Sequence, residues 1–447
     1  MGRGYHAFAH FLANKTNMTL NSFSLASLFV LAPLGCTCAL LGCAQAAPAT
    51  TTKTTKTPLV KTFGDARIVL PATSGVLNVR DAQFGARGDG KTDDTAAIQK
   101  ALTQALGTHR VVYIPDGVYL VSDTLKWQNS ANTSNNVQGW GPFLQLQGQS
   151  RAKTIIRLKN NAPGFDDPAT PRAVIQTGSS GSHGNKQYSN GEGNEAFENH
   201  LRHFTVETGS GNAGAIGIDY QGSNCSAMRH VEIKGEGFCG IALTRRDNGP
   251  LLLKDIGIQG FQFGIRTHQE IAHFTLENIR LSGQGEAGIW MRDSVVAARK
   301  IISRNTVPAI QIAGVAMLSL FDSNLSGGEA QAAIMCQGTE PRLYVRNLST
   351  QGYEGAVRRR GKTEAKQLTE WSSDAPLGNA KGQLSLKLPI QETPQFYEAD
   401  ANQWADGGAP TNNDDTATLQ AALNSGKSTV ALRYGRYRIS KTLIVPR

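Results

Sequence analysis

The sequence predicts an all-β protein: a right-handed, single-stranded parallel β-helix with an N-terminal capping helix, followed by the start of a second β-helix. Three observations predict it. Small-residue-plus-aliphatic pairs recur at Gly217-Ile218, Gly240-Ile241, Gly264-Ile265, Gly288-Ile289, Ala309-Ile310, Ala333-Ile334 and Ala356-Val357, in steps of 21 to 24 residues. A second file runs roughly ten residues ahead of each pair as Phe204/Val206, Val231/Ile233, Ile256/Ile258 and Ile279/Leu281, with the alternation of a half-buried strand. Helical periodicity is missing from this stretch, and Gly and Asn stand between the strand segments. A leucine-rich repeat has a similar period, but its Leu/Asn consensus is absent. One coil cannot bury its own apolar face, so each coil depends on its neighbours.

Such a stack exposes apolar surface and strand edges at its ends. The run Thr92 to Ala105 reads as the N-terminal cover: an Asp or Thr can cap the helix, while Ile98, Ala101, Leu102 and Ala105 share one apolar face. The first coil follows as Val111 to Ile114, a Pro115-Asp116-Gly117 turn, Val118 to Val121 and Thr124-Leu125. The same cassette returns near the C-terminus, with Asp415 offset from Asp94 by 321 residues, then Thr429 to Leu432, Arg436 to Ile439 and Thr442-Leu443. The expected organisation is therefore a signal over 1–49, a flexible linker over 50–74, a first β-helix over 75–362, a connector over 363–400 and the start of a second β-helix over 401–447.

The 447-residue chain can bury a sizeable core, and its 48 glycines and 7% aromatic content suit many short strands and tight turns. Residues 1–49 combine basic Arg3 and Lys15, an apolar run from Phe23 to Leu41 broken by Pro33 and Gly35, and a small-residue stretch, which reads as an export signal. Met18 is an alternative start. Leu40-Leu41-Gly42-Cys43 has the form of a bacterial lipobox, so Cys43 could carry a lipid and tether the protein to a membrane. The location expected is secreted or at the cell surface.

Half of the net charge of +10 comes from Arg3, Lys15, Lys53, Lys56 and Lys61, all ahead of the first acidic residue, Asp65. The weak surplus that remains comes with no nucleic-acid-binding motif, so no nucleic-acid partner is expected. Cys225, Cys239 and Cys336 remain beyond the signal and make neither a disulfide framework nor a zinc signature. They read as small buried hydrophobes, with a Cys225 to Cys239 bridge as the alternative. No cofactor is expected, and no metal: Asp166-Asp167, set among prolines, reads as a loop rather than a calcium site.

The run Val79 to Leu125, with Phe84-Gly85-Ala86-Arg87-Gly88-Asp89-Gly90-Lys91-Thr92-Asp93-Asp94, resembles the start of the rhamnogalacturonase/epimerase-like, pectin-lyase-like domain of the pectate lyase superfamily. Two such cassettes in tandem, with a connector containing Glu370-Trp371, Leu384 to Pro389 and Gln391-Glu392-Thr393-Pro394, are similar to glycoside hydrolase family 55, chiefly exo-acting β-1,3-glucanases. That resemblance implies two β-helices side by side with a substrate cleft between them. It also implies a general-acid glutamate in the second helix, so the acid is expected beyond Arg447 and the chain reads as a truncated product. The second cassette departs from the pattern, with Ala405-Asp406-Gly407-Gly408-Ala409 in place of the fuller Gly-Asp-Gly signature.

Reading outward from the pairs gives two files pointing away from the core: Asp219, Ala242, Arg266, Trp290, Gln311, Met335 and Arg358, then Gln221, Thr244, His268, Arg292, Ala313, Gln337 and Arg360. Trp290 with Arg266, His268 and Arg292 is the expected sugar-binding group, an aromatic face flanked by hydrogen-bond donors. The competing reading is an ordinary solvated face. Glycoside hydrolysis most often needs two carboxylates. Among Asp219, Asp247, Glu270, Asp293, Glu192, Glu195 and Glu198 no pair stands out, and Asp219 with Gln221 is the choice for catalytic positioning of water or substrate. The Gly178 to Asn194 segment, with His183, is long enough to overhang the face as a rim or lid. The leading expectation is a glycoside hydrolase acting on a β-glucan. The alternatives are an enzyme acting on an acidic polysaccharide such as pectin, for which Arg266, Arg292, Arg358 and Arg360 supply positive charge, and a non-catalytic glycan-binding or adhesive β-helix.

Overall fold

The computed structural model describes residues 67–70, 74–126, 143–179, 196–268, 273–328, 332–338, 340–374, 405–427 and 430–446. The expected signal, Cys43, His183, Glu192, Glu195 and Glu270 lie outside them. The described chain is a right-handed β-solenoid of about 11 turns, as the repeat predicts.

Each coil contributes to three faces. The first face runs through Leu77–Asn78, Val111–Ile114 and Gln145–Gly148 into the leading halves of the long strands His200–Glu207, Ser226–Gly235, Leu251–Gly260, His273–Ser282, Val295–Arg304, Met317–Ser326 and Arg342–Gln351. The trailing halves continue a second face begun by Asp89–Asp93, Gly117–Val121 and Thr154–Leu158. The third face stacks Leu125–Lys126, Arg172–Gln176, Ala215–Asp219, Cys239–Leu243, Phe263–His268, Ala287–Arg292, Ile310–Ala313, Ile334–Cys336 and Val357–Arg359.

The long strands divide where one residue per coil enters the left-handed region: His203, His230, Asp255, Asn278, Lys300, Asp322 and Asn347, with φ between 49° and 60°. They form a file because the residues just before them, Arg202, Arg229, Lys254, Glu277, Arg299, Phe321 and Arg346, are register partners in succession. Asp, Asn and His tolerate this conformation better than other side chains. The file is also linked laterally: the His203 and His230 rings stack at 4.9 Å, His230 Nδ1 lies 3.3 Å from Asp255 Oδ2, and Asn347 donates to Asp322 at 2.9 Å.

Inside the coil, the glycines of the repeat pairs leave room for the opposite wall. A Cβ on Gly217 would come within 2.5 Å of Ile233 Cγ2, and one on Gly240 within 2.5 Å of Ile258 Cγ2. The aliphatic partners Ile218, Ile241, Ile265, Ile289, Ile310 and Ile334 are buried in one continuous core, as expected.

Helix α1 (Thr95–Ala105) covers the N-terminal end with Ile98, Ala101, Leu102 and Ala105, the four residues its periodicity selects. Its capping differs from expectation. Asp94 sits at the N-cap without a side-chain bond to the helix; its carboxylate turns back to accept the Arg87 and Gly88 amides at 2.7 and 2.9 Å. Asp93 accepts the Thr95 amide instead, at 3.1 Å. The C-terminal end of the first helix is closed by antiparallel strands, Lys362–Thr363 on the third face and Gln367–Ser372 against Arg342–Gln351. The helix therefore extends into the segment expected as connector, because antiparallel pairing satisfies an edge that a further coil would otherwise have to cover. At the other end Ile68, expected in the flexible linker, is buried, donating its amide to Gln149 O at 2.7 Å.

The second cassette repeats several bonds of the first. Helix α2 (Thr416–Leu423) has Asp414 accepting the Thr416 amide at 3.0 Å, and Asp415 accepting Thr411 and Arg438 amides at 3.0 Å. Gln420 brackets the Ile444 backbone as Gln99 brackets that of Lys126. Among the described residues, only Ala405–Asp406 and Val430–Ala431 pair as strands here; the expected strands near Arg436 to Ile439 and Thr442-Leu443 are reduced there to a single bridge, Asp414 to Arg438. Of the cysteines, Cys239 is buried, Cys336 half-buried and Cys225 exposed, and all three are free. The expectation of a buried Cys225, or of its bridge to Cys239, is thereby corrected. Asp167 is a turn former that accepts the Ala169 amide at 2.8 Å.

Candidate functional site

The outer surface of the third face carries the expected first file in register: Asp219, Ala242, Arg266, Trp290, Gln311, Met335 and Arg358 are successive partners, and Gln176 extends the file by one coil ahead of Asp219. His268, Arg292 and Ala313 form part of the second. Exposure along these files is uneven. Asp219 and Gln221 are buried, 7% and 1% exposed, which corrects the expectation of an open face at that end. The cause is Arg245, from the corner one coil later. It donates to Asp219 Oδ1 at 3.0 Å, to Gln221 Oε1 at 3.1 Å and to the Asp219 carbonyl at 3.2 Å, and it also bonds the Thr177 carbonyl. Gln176 occupies the other Asp219 oxygen at 2.9 Å, and Gln221 donates to the Arg246 carbonyl at 3.1 Å. Both residues chosen for catalytic positioning thus sit inside a closed polar network.

Further along the face, His268 and Arg292 converge on one corner carboxylate, Asp293, at 3.9 and 3.3 Å. Arg266 and Trp290 are half-buried, with the guanidinium 4.8 Å from the Trp290 ring centroid. The structure therefore brings the four expected sugar-binding residues onto neighbouring strands of one surface.

A second concavity was not legible in the repeat. Where the second cassette meets the first coil, a pocket of about 400 Å³ is lined by Arg110, Gln145, Gln147, Arg202, Asp406 and Tyr434, among others. Gly75 makes the approach close: its φ is 76°, and a Cβ there would lie 2.7 Å from Tyr434 Cβ. Arg110 donates to the Gly75 carbonyl at 3.1 and 2.9 Å and stands 5.3 Å over the Tyr434 ring, which is thereby held as one wall. Gln145 and Gln147 are two apart on one strand and so present to the same side. Asp406 pairs with Arg433 at 2.5 Å, and the bond from Arg433 holds its carboxyl below the usual carboxylate range. It is an ionised acceptor rather than a proton donor.

With this fold and these sites in place, comparison with known families is decisive: the model of the Rhamnogalacturonase A/epimerase, pectate lyase-like family matches residues 76–314. The chain belongs to this family. Among curated proteins, it is 30% identical over 149 residues to a glucan 1,3-beta-glucosidase of Cochliobolus carbonum, covering 33% of this chain and 15% of that protein. It is 34% identical over 113 residues to a probable glucan endo-1,3-beta-glucosidase of Arthroderma benhamiae, covering 25% of this chain and 11% of that one. The chain thus spans a small part of the length of these relatives. Among solved structures, the enzymatically active domain of bacteriophage CBA120 tailspike protein 2 superimposes with a TM-score of 0.45 at 12% identity, covering 67% of this chain and 49% of that one.

The residues missed in this pectate lyase-like chain are Arg245, whose partners lie 24 and 26 positions earlier, and the junction lining. The duplicated cassette was the available signal for the latter, since a second solenoid start must rest against something.

Proposed function

We propose that this protein is a polysaccharide-active enzyme of the glycoside hydrolase type that binds a β-1,3-linked glucan in the junction pocket. The observation that carries the reading is the pocket itself, assembled from the first coil and the second copy of the cassette. Tyr434 offers a ring face to a pyranose, the Gln145 and Gln147 amides can exchange hydrogen bonds with sugar hydroxyls, and ionised Asp406 accepts them. These groups bind and orient. Protonation of a leaving oxygen requires an acid that Asp406, kept ionised by Arg433, does not supply. The names of the fungal relatives support the choice of glucan. Export, with Cys43 as a lipid-bearing residue, is part of the same proposal and rests on the apolar run from Phe23 to Leu41.

The test is retardation in laminarin gels together with reducing-sugar release from laminarin against polygalacturonate. Tyr434→Ala is expected to weaken laminarin retardation about tenfold, the loss of one stacking wall, with an unchanged melting temperature. A parent protein indifferent to laminarin, or retardation that survives the substitution, overturns the assignment.

A further inference from the structure

The junction pocket has one wall whose hydrogen-bonding character is fixed from behind. Gln147 Nε2 donates to the Gly148 carbonyl at 2.6 Å and lies 3.0 Å from His203 Nδ1. A carbonyl oxygen only accepts, so the amide nitrogen, and not Oε1, must stand at Gly148. The second Nε2 hydrogen is left for His203 Nδ1, which must accept it, so the His203 ring carries its own hydrogen on Nε2. Both amide hydrogens of Gln147 are thereby engaged within the wall. The holder is itself held. His203 is 2% exposed and sits in the bend file at φ 60°. Its ring stacks on His230, which is paired in turn with Asp255. Gly148 permits the approach, since a Cβ there would collide with the His203 carbonyl oxygen. Gln145, two residues earlier on the same strand, has no such partner among the described residues and keeps both its donors and its acceptor.

What Gln147 can offer the pocket is therefore Oε1, an acceptor. Asp406 lines the same pocket, and its bonds from Arg433 and the Gly408 amide hold its carboxyl below the usual carboxylate range, so it too accepts. Two acceptors on one pocket bind groups that donate and meet lone pairs with repulsion. We propose that His203 is a positioning residue that holds Gln147 as an acceptor, so that Gln147 and Asp406 select free sugar hydroxyls and reject sugars methylated, acylated or carboxylated at those positions. The proposal rests on the reading of this pocket as a glycan site and adds its selectivity. A ligand oxygen without a hydrogen leaves both acceptors desolvated and unpaired, which costs more than the missing bond itself. His203 is buried and acts only through Gln147.

The experiment joins proton–nitrogen correlation NMR of the histidine-labelled full chain, near neutral pH, with affinity electrophoresis in laminarin and in O-methylated laminarin. His203 is expected as the Nε2–H tautomer with Nδ1 bare, and the parent should be retarded by laminarin but not by its methyl ether. His203→Ala frees the amide to turn: laminarin retardation should fall about fivefold, the cost of an unfixed side chain, and retardation by the ether should emerge. His203→Asn restores an acceptor near Nδ1, in a backbone conformation that Asn278 and Asn347 adopt in the same file, and should recover the selectivity. Gln147→Met should weaken laminarin retardation while His203 loses its preference for one tautomer, and it keeps the test decisive if His203→Ala fails to fold. A hydrogen on His203 Nδ1, parent retardation equal in the two gels, or a selectivity that survives His203→Ala overturns the proposal. A parent indifferent to laminarin but retarded by pullulan, and not by methylated pullulan, removes the glucan linkage assigned above and leaves the His203 proposal standing; indifference to both glycans overturns both.

Discussion

Replacing Arg245 by Met removes the keystone of the network at the start of the third face. Among the described residues, the Asp219 carboxylate would retain only its bond from Gln176, and Gln221 Oε1 would lose its donor, both residues being more than nine-tenths buried. Breaking a buried pair by deleting one partner costs about 3–5 kcal/mol, since the other charge is left without compensation. In a solenoid of this size that corresponds to a fall in melting temperature of roughly 8 °C at about 2 °C per kcal/mol. Asp219→Asn should also destabilise, leaving the cation uncompensated, while the double variant should lose about 2 kcal/mol less than the two singles together. Thermal melts of the four proteins read the cycle, with turnover of laminarin measured beside them. The reasoning fails if Arg245→Met melts with the parent. It fails equally if Asp219→Asn abolishes turnover while leaving the melt unchanged, which would place that carboxylate in the chemistry and not in the scaffold.

Two further perturbations test the framework. Ile265, fully buried between Ile241 and Ile289 in the register, should lose soluble expression as Asp, at a cost of several kcal/mol, whereas Ile265→Val should cost about 1 kcal/mol and stay soluble. Burial, and the nearby Arg202, lower the His200 pKa from 6.5 to about 4. Between those values the unfolded chain binds a proton that the folded chain refuses, so stability falls as pH drops from 6.5 towards 4. Melting temperatures across that interval should decline more steeply in the parent than in His200→Gln; parallel curves would remove His200 as the cause.

Much of the fold was legible because the interior restricts residue type. A coil interior admits aliphatics at Ile241 or Ile265 and, opposite Ile258, nothing larger than glycine at Gly240, so the period survives in the letters. The bend file did not survive in them. Its positions hold His203, His230, Asp255, Asn278, Lys300, Asp322 and Asn347, since the constraint acts on φ and several side chains meet it. The outward files were placed in register, but exposure was misjudged at Asp219 and Gln221, because a long side chain from the next corner covers them. Alternation tells which way a residue points and says nothing of what reaches over it. The junction lining escaped for a related reason: Arg110 and Tyr434 meet through tertiary docking, and no local pattern encodes that contact.

The bend file also sets how this architecture can change. Successive bend residues are separated by 22 to 27 positions, yet the strands on either side keep their partners, so the slack is taken up at the corners. The solenoid behaves as a rack with fixed slots and corners of adjustable length. Doubling a flexible corner loop costs only about 0.6 kcal/mol of closure entropy, less than the loss of a single buried methylene. New walls could therefore be raised around the Arg266 and Trp290 surface, or around Tyr434, without retuning the core. Ligand preference in such a body can drift quickly while its register stays still.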